Sequence, residues 1–95
     1  MELEFTDAVV EWRGPAPYHF VRVPEDDALV IQDVAAAITY GWGMIPVAVT
    51  IGATTWTTSL WPKDGAYVVP LKDKIRAAEG VALGDVVTVR LRIDV

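Results

Sequence analysis

Lys72 and Arg76 stand four residues apart in a segment that reads as a short helix, so the spacing places both cations on one face. Like charges at that spacing repel by roughly a few tenths of a kcal/mol. A nearby anion, or a carboxylate from elsewhere in the chain, would remove the cost. Arginine offers a two-pronged donor fork for such a group. Two tryptophans fall beside loop signals: Trp42 lies between Gly41 and Gly43, and Trp61 precedes Pro62-Lys-Asp-Gly65. Aromatics in loops are better explained by a pocket or a partner than by core packing. The run Thr54-Thr-Trp-Thr-Thr-Ser59 is rich in hydroxyls, and Thr57 and Ser59 share a face that could donate to an anion held by the two cations. With Lys63 and Tyr67 around the same loop, the candidate ligand-binding set is Trp42, Thr57, Ser59, Trp61, Lys63, Tyr67, Lys72 and Arg76. β-branched preference for strands, sealing of barrel ends and an internal salt bridge are the competing structural explanations.

Other chemistry is narrowed by composition. The chain has no Cys and one His, which excludes disulfides, thiol catalysis and a multi-histidine metal site. His19 has no serine or acid at triad spacing. Glu25-Asp26-Asp27 point in different directions on a helix and suit its positive end better than a cation. Gly41 and Gly43 lack the third glycine and the strand–turn–helix order of a nucleotide fingerprint. No catalytic residue, metal or cofactor is therefore expected, and the chain is read as a non-enzyme.

The formal charge is −5 over 95 residues. Residues 1–33 carry eight acids against Arg13 and Arg22, whereas residues 63–95 carry six bases against five acids. The overall sign makes nucleic acid an unlikely partner, although a local basic face could still bind it. The 29 residues from Val34 to Pro62 hold no charge. Gly41, Gly43, Pro46, Gly52 and six threonines interrupt them, which argues for buried strands and against a membrane helix. The missing cysteines and the lack of a leader pattern suit the cytoplasm.

Those side chains need elements to position them. Residues 2–13 alternate as a strand whose apolar face changes near Asp7–Ala8, suggesting a bulge or burial on both faces. Tyr18–Val23 is its hairpin partner. Pro24 and three acids start a helix with Ile31, Val34, Ala35 and Ile38 as its buried stripe and Gly41 as its cap. Met44–Ile51 and Thr54–Leu60 form two more strands, followed by a loop at residues 61–65 and a short strand at Tyr67–Val69. After Pro70 a helix runs from about Leu71 to Glu79, buried through Leu71, Ile75 and Ala78 and capped by Gly80. The last strand turns Val87, Val89, Leu91 and Ile93 inward. The order β-β-α-β-β-β-α-β predicts a mostly β fold with two helices: a small barrel, one domain over residues 1–95.

Tyr40-Gly-Trp-Gly-Met-Ile-Pro-Val47, Trp56-Thr-Thr-Ser-Leu-Trp-Pro-Lys-Asp-Gly-Ala-Tyr67, Pro70-Leu-Lys72 with Arg76, and Gly84-Asp85 carry a resemblance. So do Glu11-Trp-Arg-Gly-Pro-Ala-Pro-Tyr18 and Phe20 to Pro24. Together they resemble a bacterial domain-of-unknown-function family, number nineteen-oh-five. The resemblance implies a double-split β-barrel and brings no established activity. The reading that follows is a non-enzymatic binding module with an anion-accepting face, for a small anionic ligand or a protein partner, as monomer or homodimer. A nucleic-acid-binding regulator is the alternative, by analogy of fold.

Overall fold

A computed structural model describes residues 1–15, 18–38 and 43–94, with residues 37 and 38 described by backbone alone. The chain runs β1 (Glu2–Trp12), β2 (Tyr18–Arg22), α1 (Glu25–Ile38), β3 (Ile45–Ile51), β4 (Thr54–Lys63), β5 (Ala66–Leu71), α2 (Asp73–Glu79) and β6 (Val86–Arg92). The six strands close into an antiparallel barrel in the order β1-β2-β5-β4-β3-β6. The expected fold class and element order are those observed.

Two long strands carry the architecture, because each changes partner along its length. β1 pairs with β6 through Glu2–Ala8 and with β2 through Val9–Trp12. β4 pairs with β3 through Thr54–Leu60 and with β5 through Trp61–Lys63. This is the double split that the resemblance implies. It also corrects the expected bulge near Asp7–Ala8. The register is unbroken to Ala8, and what changes there is the partner. Phe5 and Val9 keep one parity and are both buried.

Prolines shift two further boundaries. The segment expected as a loop at residues 61–65 is strand through Lys63, and only Asp64–Gly65 turn, both with positive φ (53° and 78°). β5 includes Pro70 and Leu71 instead of stopping at Val69. A strand proline is tolerated where no ladder asks for its N–H. The β3–β4 ladder ends at Leu60, before Pro62. The β4–β5 ladder covers Ala66–Val68 only, short of Pro70. The β3–β6 ladder covers Ala48–Thr50, past Pro46. Each strand proline thus lies where one neighbouring ladder has stopped.

Val9, Ile45, Val49, Leu60, Val69, Val89, Leu91 and Ile93 fill the interior at 0–1% exposure. Full burial of such side chains contributes about 1.5–3 kcal/mol each. α1 closes the end of the barrel near Ala66. Ala28 and Ile31 are its buried contacts, and Gln32 Nε2 donates to the Gly65 carbonyl at 3.1 Å. Val34 and Ala35 are half-buried, while the Gly41 cap falls outside the described residues. Among the described residues no helix is long and apolar enough to cross a membrane.

The second helix begins later than expected. Leu71 is a strand residue opposite His19, and Lys72 is an extended N-cap (φ −74°, ψ 155°). Ile75 is buried, whereas Ala78 is exposed, contrary to the expected stripe. Gly80 ends the helix in the left-handed region, as expected. α2 is fixed to the β3–β4 hairpin by Thr54 Oγ1, which donates to Glu79 Oε2 at 2.5 Å.

Candidate functional site

Alternation puts Val21, Val69 and Leu71 inside the barrel, which turns their strand neighbours to the outer face of β1, β2, β5 and β4. Apolar side chains gather on that face. Trp12 faces Tyr18 across the ladder, Phe20 faces Pro70, and Trp61 faces Val68. Tyr18 is the hub of the group. Its ring lies 5.5 Å from Trp12, 5.4 Å from Phe20 and 4.9 Å from Trp61, the last edge-on at 71°. Each such pair contributes about 0.5–1.5 kcal/mol beyond its buried area. Phe20 and Val68 are sealed beneath, while Trp12 remains 36% exposed. Gly14 lets the Trp12 ring lie against the chain, since a Cβ there would stand 1.7 Å from it.

Beside this terrace a recess of about 500 Å³ opens between β4, β5 and α2. Tyr18, Trp61, Pro70 and Leu71 give it an apolar wall, and His19 and Thr58 are its other strand residues. Lys72, Lys74 and Arg76 line the remaining side with Asp73. Three cations thus meet one acid. Arg76 Nη2 donates to Asp73 Oδ1, but the Asp73 side chain is 95% exposed, so the pair is weak and open to competition. The Arg76 Nε is buried with no acceptor among the described residues. His19 Nε2 lies 3.8 Å from Glu11 Oε2, its cross-strand partner.

The structure divides the expected site. Trp61, Lys72 and Arg76 come together in this recess. Lys63 and Tyr67 border a separate hollow of about 120 Å³ with Arg22 and Asp64. Thr57 faces Ala48 and Ser59 faces Pro46 on the β3–β4 ladder, and neither lines the recess. The strand hydroxyl that reaches the recess is Thr58, of the opposite parity. Trp42 lies outside the described residues. Tyr18, His19, Thr58 and Lys74 also line the recess and fall outside the expected set. The register Trp12↔Tyr18 and the alternation of cations at 72, 74 and 76 were the signals for two of them.

Tyr67 is a core residue at 6% exposure, and burial raises its pKa from the ordinary 10.0. Above that value the unfolded chain loses the phenolic proton before the folded one does. Stability from this group is therefore full below the ordinary pKa and lost as pH rises through the raised one. Urea midpoints followed from neutral pH upward are expected to fall more steeply for the wild type than for Tyr67→Phe.

A larger groove of about 700 Å³ crosses the outer face of β1, β6, β3 and β4. Its charges oppose one another in register, Glu2 with Arg92 and Glu4 with Arg90, so it carries no net attraction for an ion. Among the described residues no three His, Cys, Asp or Glu gather to hold a metal.

The sequence profile of a domain of unknown function, DUF1905, matches residues 5–91. The chain belongs to the DUF1905 family. The match reaches into all eight strands and helices and covers every residue lining the recess of this DUF1905 barrel. No curated protein matches closely enough to lend the DUF1905 chain an activity.

Proposed function

We propose that this DUF1905 barrel is a binding module that accepts an anionic group in the recess between α2 and β4. The observation that carries the reading is Arg76, which lines the recess and whose buried Nε has no acceptor among the described residues, while its Nη2 meets the exposed Asp73. Lys72 and Lys74 supply further positive charge at the rim, and Tyr18 and Trp61 offer apolar cover for the rest of a ligand. Cations and rings hold a charged molecule without moving its protons, which favours binding over catalysis. The cysteine-free chain suits a cytoplasmic setting.

Native mass spectrometry of protein purified without added ligand, beside a denatured spectrum of the same sample, tests the reading. The expected result is an adduct that denaturation removes. The Lys72→Ala, Arg76→Ala variant is expected to lose it, since removing two charge-assisted hydrogen bonds weakens affinity by about a hundredfold. Bare protein in the wild type, together with no response to added phosphate or acetate, overturns the proposal.

The half-exposed rings beside cations also favour a second reading, a single-stranded nucleic acid laid across the terrace. The −5 charge opposes it. Absence of binding to a random oligonucleotide at low salt removes that reading.

A further inference from the structure

Two buried N–H donors lack an acceptor among the described residues: Trp56 Nε1 and Arg76 Nε. Buried polar groups in folded proteins are almost always partnered, so an orphan asks for an explanation. The two lie on β4 and α2, which pack against each other. Glu79, one turn beyond Arg76 on the same face of α2, is anchored to Thr54 of β4. Trp56 follows Thr54 by two residues, on the same face of the strand, and Thr58 follows by two more. Thr58 and Arg76 both line the recess. The seam therefore runs from the Thr54–Glu79 hydrogen bond, past Trp56, and opens into the recess beside Arg76.

We infer that Trp56 Nε1–H and Arg76 Nε–H form the inner end of the recess and together hold an oxygen of a carboxylate or phosphate group entering between α2 and β4. The inference rests on the anion-binding reading and extends it to a ligand class and a further binding residue. Two donors that share one oxygen need an acceptor with two free lone pairs, and the cation among them favours a charged one. Carboxylate and phosphate oxygens can each accept more than one hydrogen bond. Lys72 and Lys74 then meet the remaining charge at the mouth, and Tyr18 and Trp61 border whatever the head group carries.

The test is a titration of the intact protein with sodium phosphate and with sodium acetate, at constant ionic strength, observing the Trp indole and Arg Nε–H signals by ¹H–¹⁵N NMR. The Trp56 and Arg76 signals are expected to move downfield together and give one Kd. The tighter of the two probes identifies the head group. Trp56→Phe, which keeps a ring and removes the donor, is expected to weaken binding about tenfold. Arg76→Lys keeps the charge, removes the Nε donor and is expected to do the same. An Arg76 shift beside an unmoved Trp56 indole, or an unchanged Kd in Trp56→Phe, overturns the role of Trp56 and leaves the anion-binding reading standing. Equal shifts with chloride alone mark an adventitious ion and overturn the inference. No response at either residue with either probe overturns both. Should Trp56→Phe fail to fold, the wild-type titration and Arg76→Lys decide the matter.

Discussion

Replacing Leu60 with alanine is expected to lower the free energy of unfolding by about 3 kcal/mol, inside the roughly 2–5 kcal/mol seen when buried leucines are truncated. Leu60 is fully buried and sits where β4 changes partner. It is the last residue paired to β3, opposite Ile45, and the next residue, Trp61, is already paired to β5. A cavity at that point has two sheets around it, and neither can collapse into it without distorting the other's ladder. For a domain of this size the loss corresponds to a fall in Tm of roughly 12–24 °C. Thr57→Ala, three residues earlier and exposed, is expected to change stability by less than about 0.5 kcal/mol. Urea denaturation followed by tryptophan fluorescence measures both. A cost under about 1 kcal/mol for Leu60→Ala would contradict the packing described at the split.

The second large effect is at the hairpin between β3 and β4. Gly52 has φ +57°, and a Cβ there would stand 1.9 Å from Glu79 Oε1. Gly52→Val therefore meets two penalties. A β-branched residue is forced into the left-handed region, at about 1–3 kcal/mol. The Glu79 carboxylate must also swing away, giving up its hydrogen bond from Thr54. Adding about 1 kcal/mol for that bond puts the expected destabilisation at about 3 kcal/mol. A double-mutant cycle separates the parts. In a Glu79→Ala background Gly52→Val keeps only the backbone penalty, so the coupling is expected to be about 1 kcal/mol. Strict additivity would show that the carboxylate does not hold α2 to the hairpin.

Periodicity and punctuation made much of the barrel legible in advance. Val87, Val89, Leu91 and Ile93 announced their inward face by strict alternation, and Gly80 announced the end of α2. Pro62 and Pro70 mislead, because the sequence reads the first as loop and the second as the approach to a helix. Pro62 and Pro70 are strand residues that sit opposite Tyr67 and Phe20, and what they mark is the loss of one of a strand's two ladders. Lys72 then reads as helical, since Pro70 looks like the approach to a helix. The site was legible only in part. Alternation says that Thr57 and Ser59 share a face, but not which face α2 will cover. That choice is tertiary, and it brings Thr58 to the cations instead. The pairing of Trp12 with Tyr18 followed from the hairpin, yet its meeting with Trp61 required the order β2-β5-β4, which crosses the chain sequence.

The partner exchange along β1 has a further consequence during synthesis on the ribosome. The seven residues Glu2–Ala8 belong to the first strand of the domain to be made, and their ladder partners Val86–Arg92 are the last to emerge. At about 5–20 residues per second the wait is roughly 4–16 s. Through that interval the half-strand has an unsatisfied edge and carries Leu3 and Phe5 with no barrel to receive them. Glu2, Glu4 and Asp7 are interleaved with those residues. Their charge discourages the edge from recruiting another nascent chain, so the acids at the start of the domain act as gatekeepers against aggregation until β6 arrives.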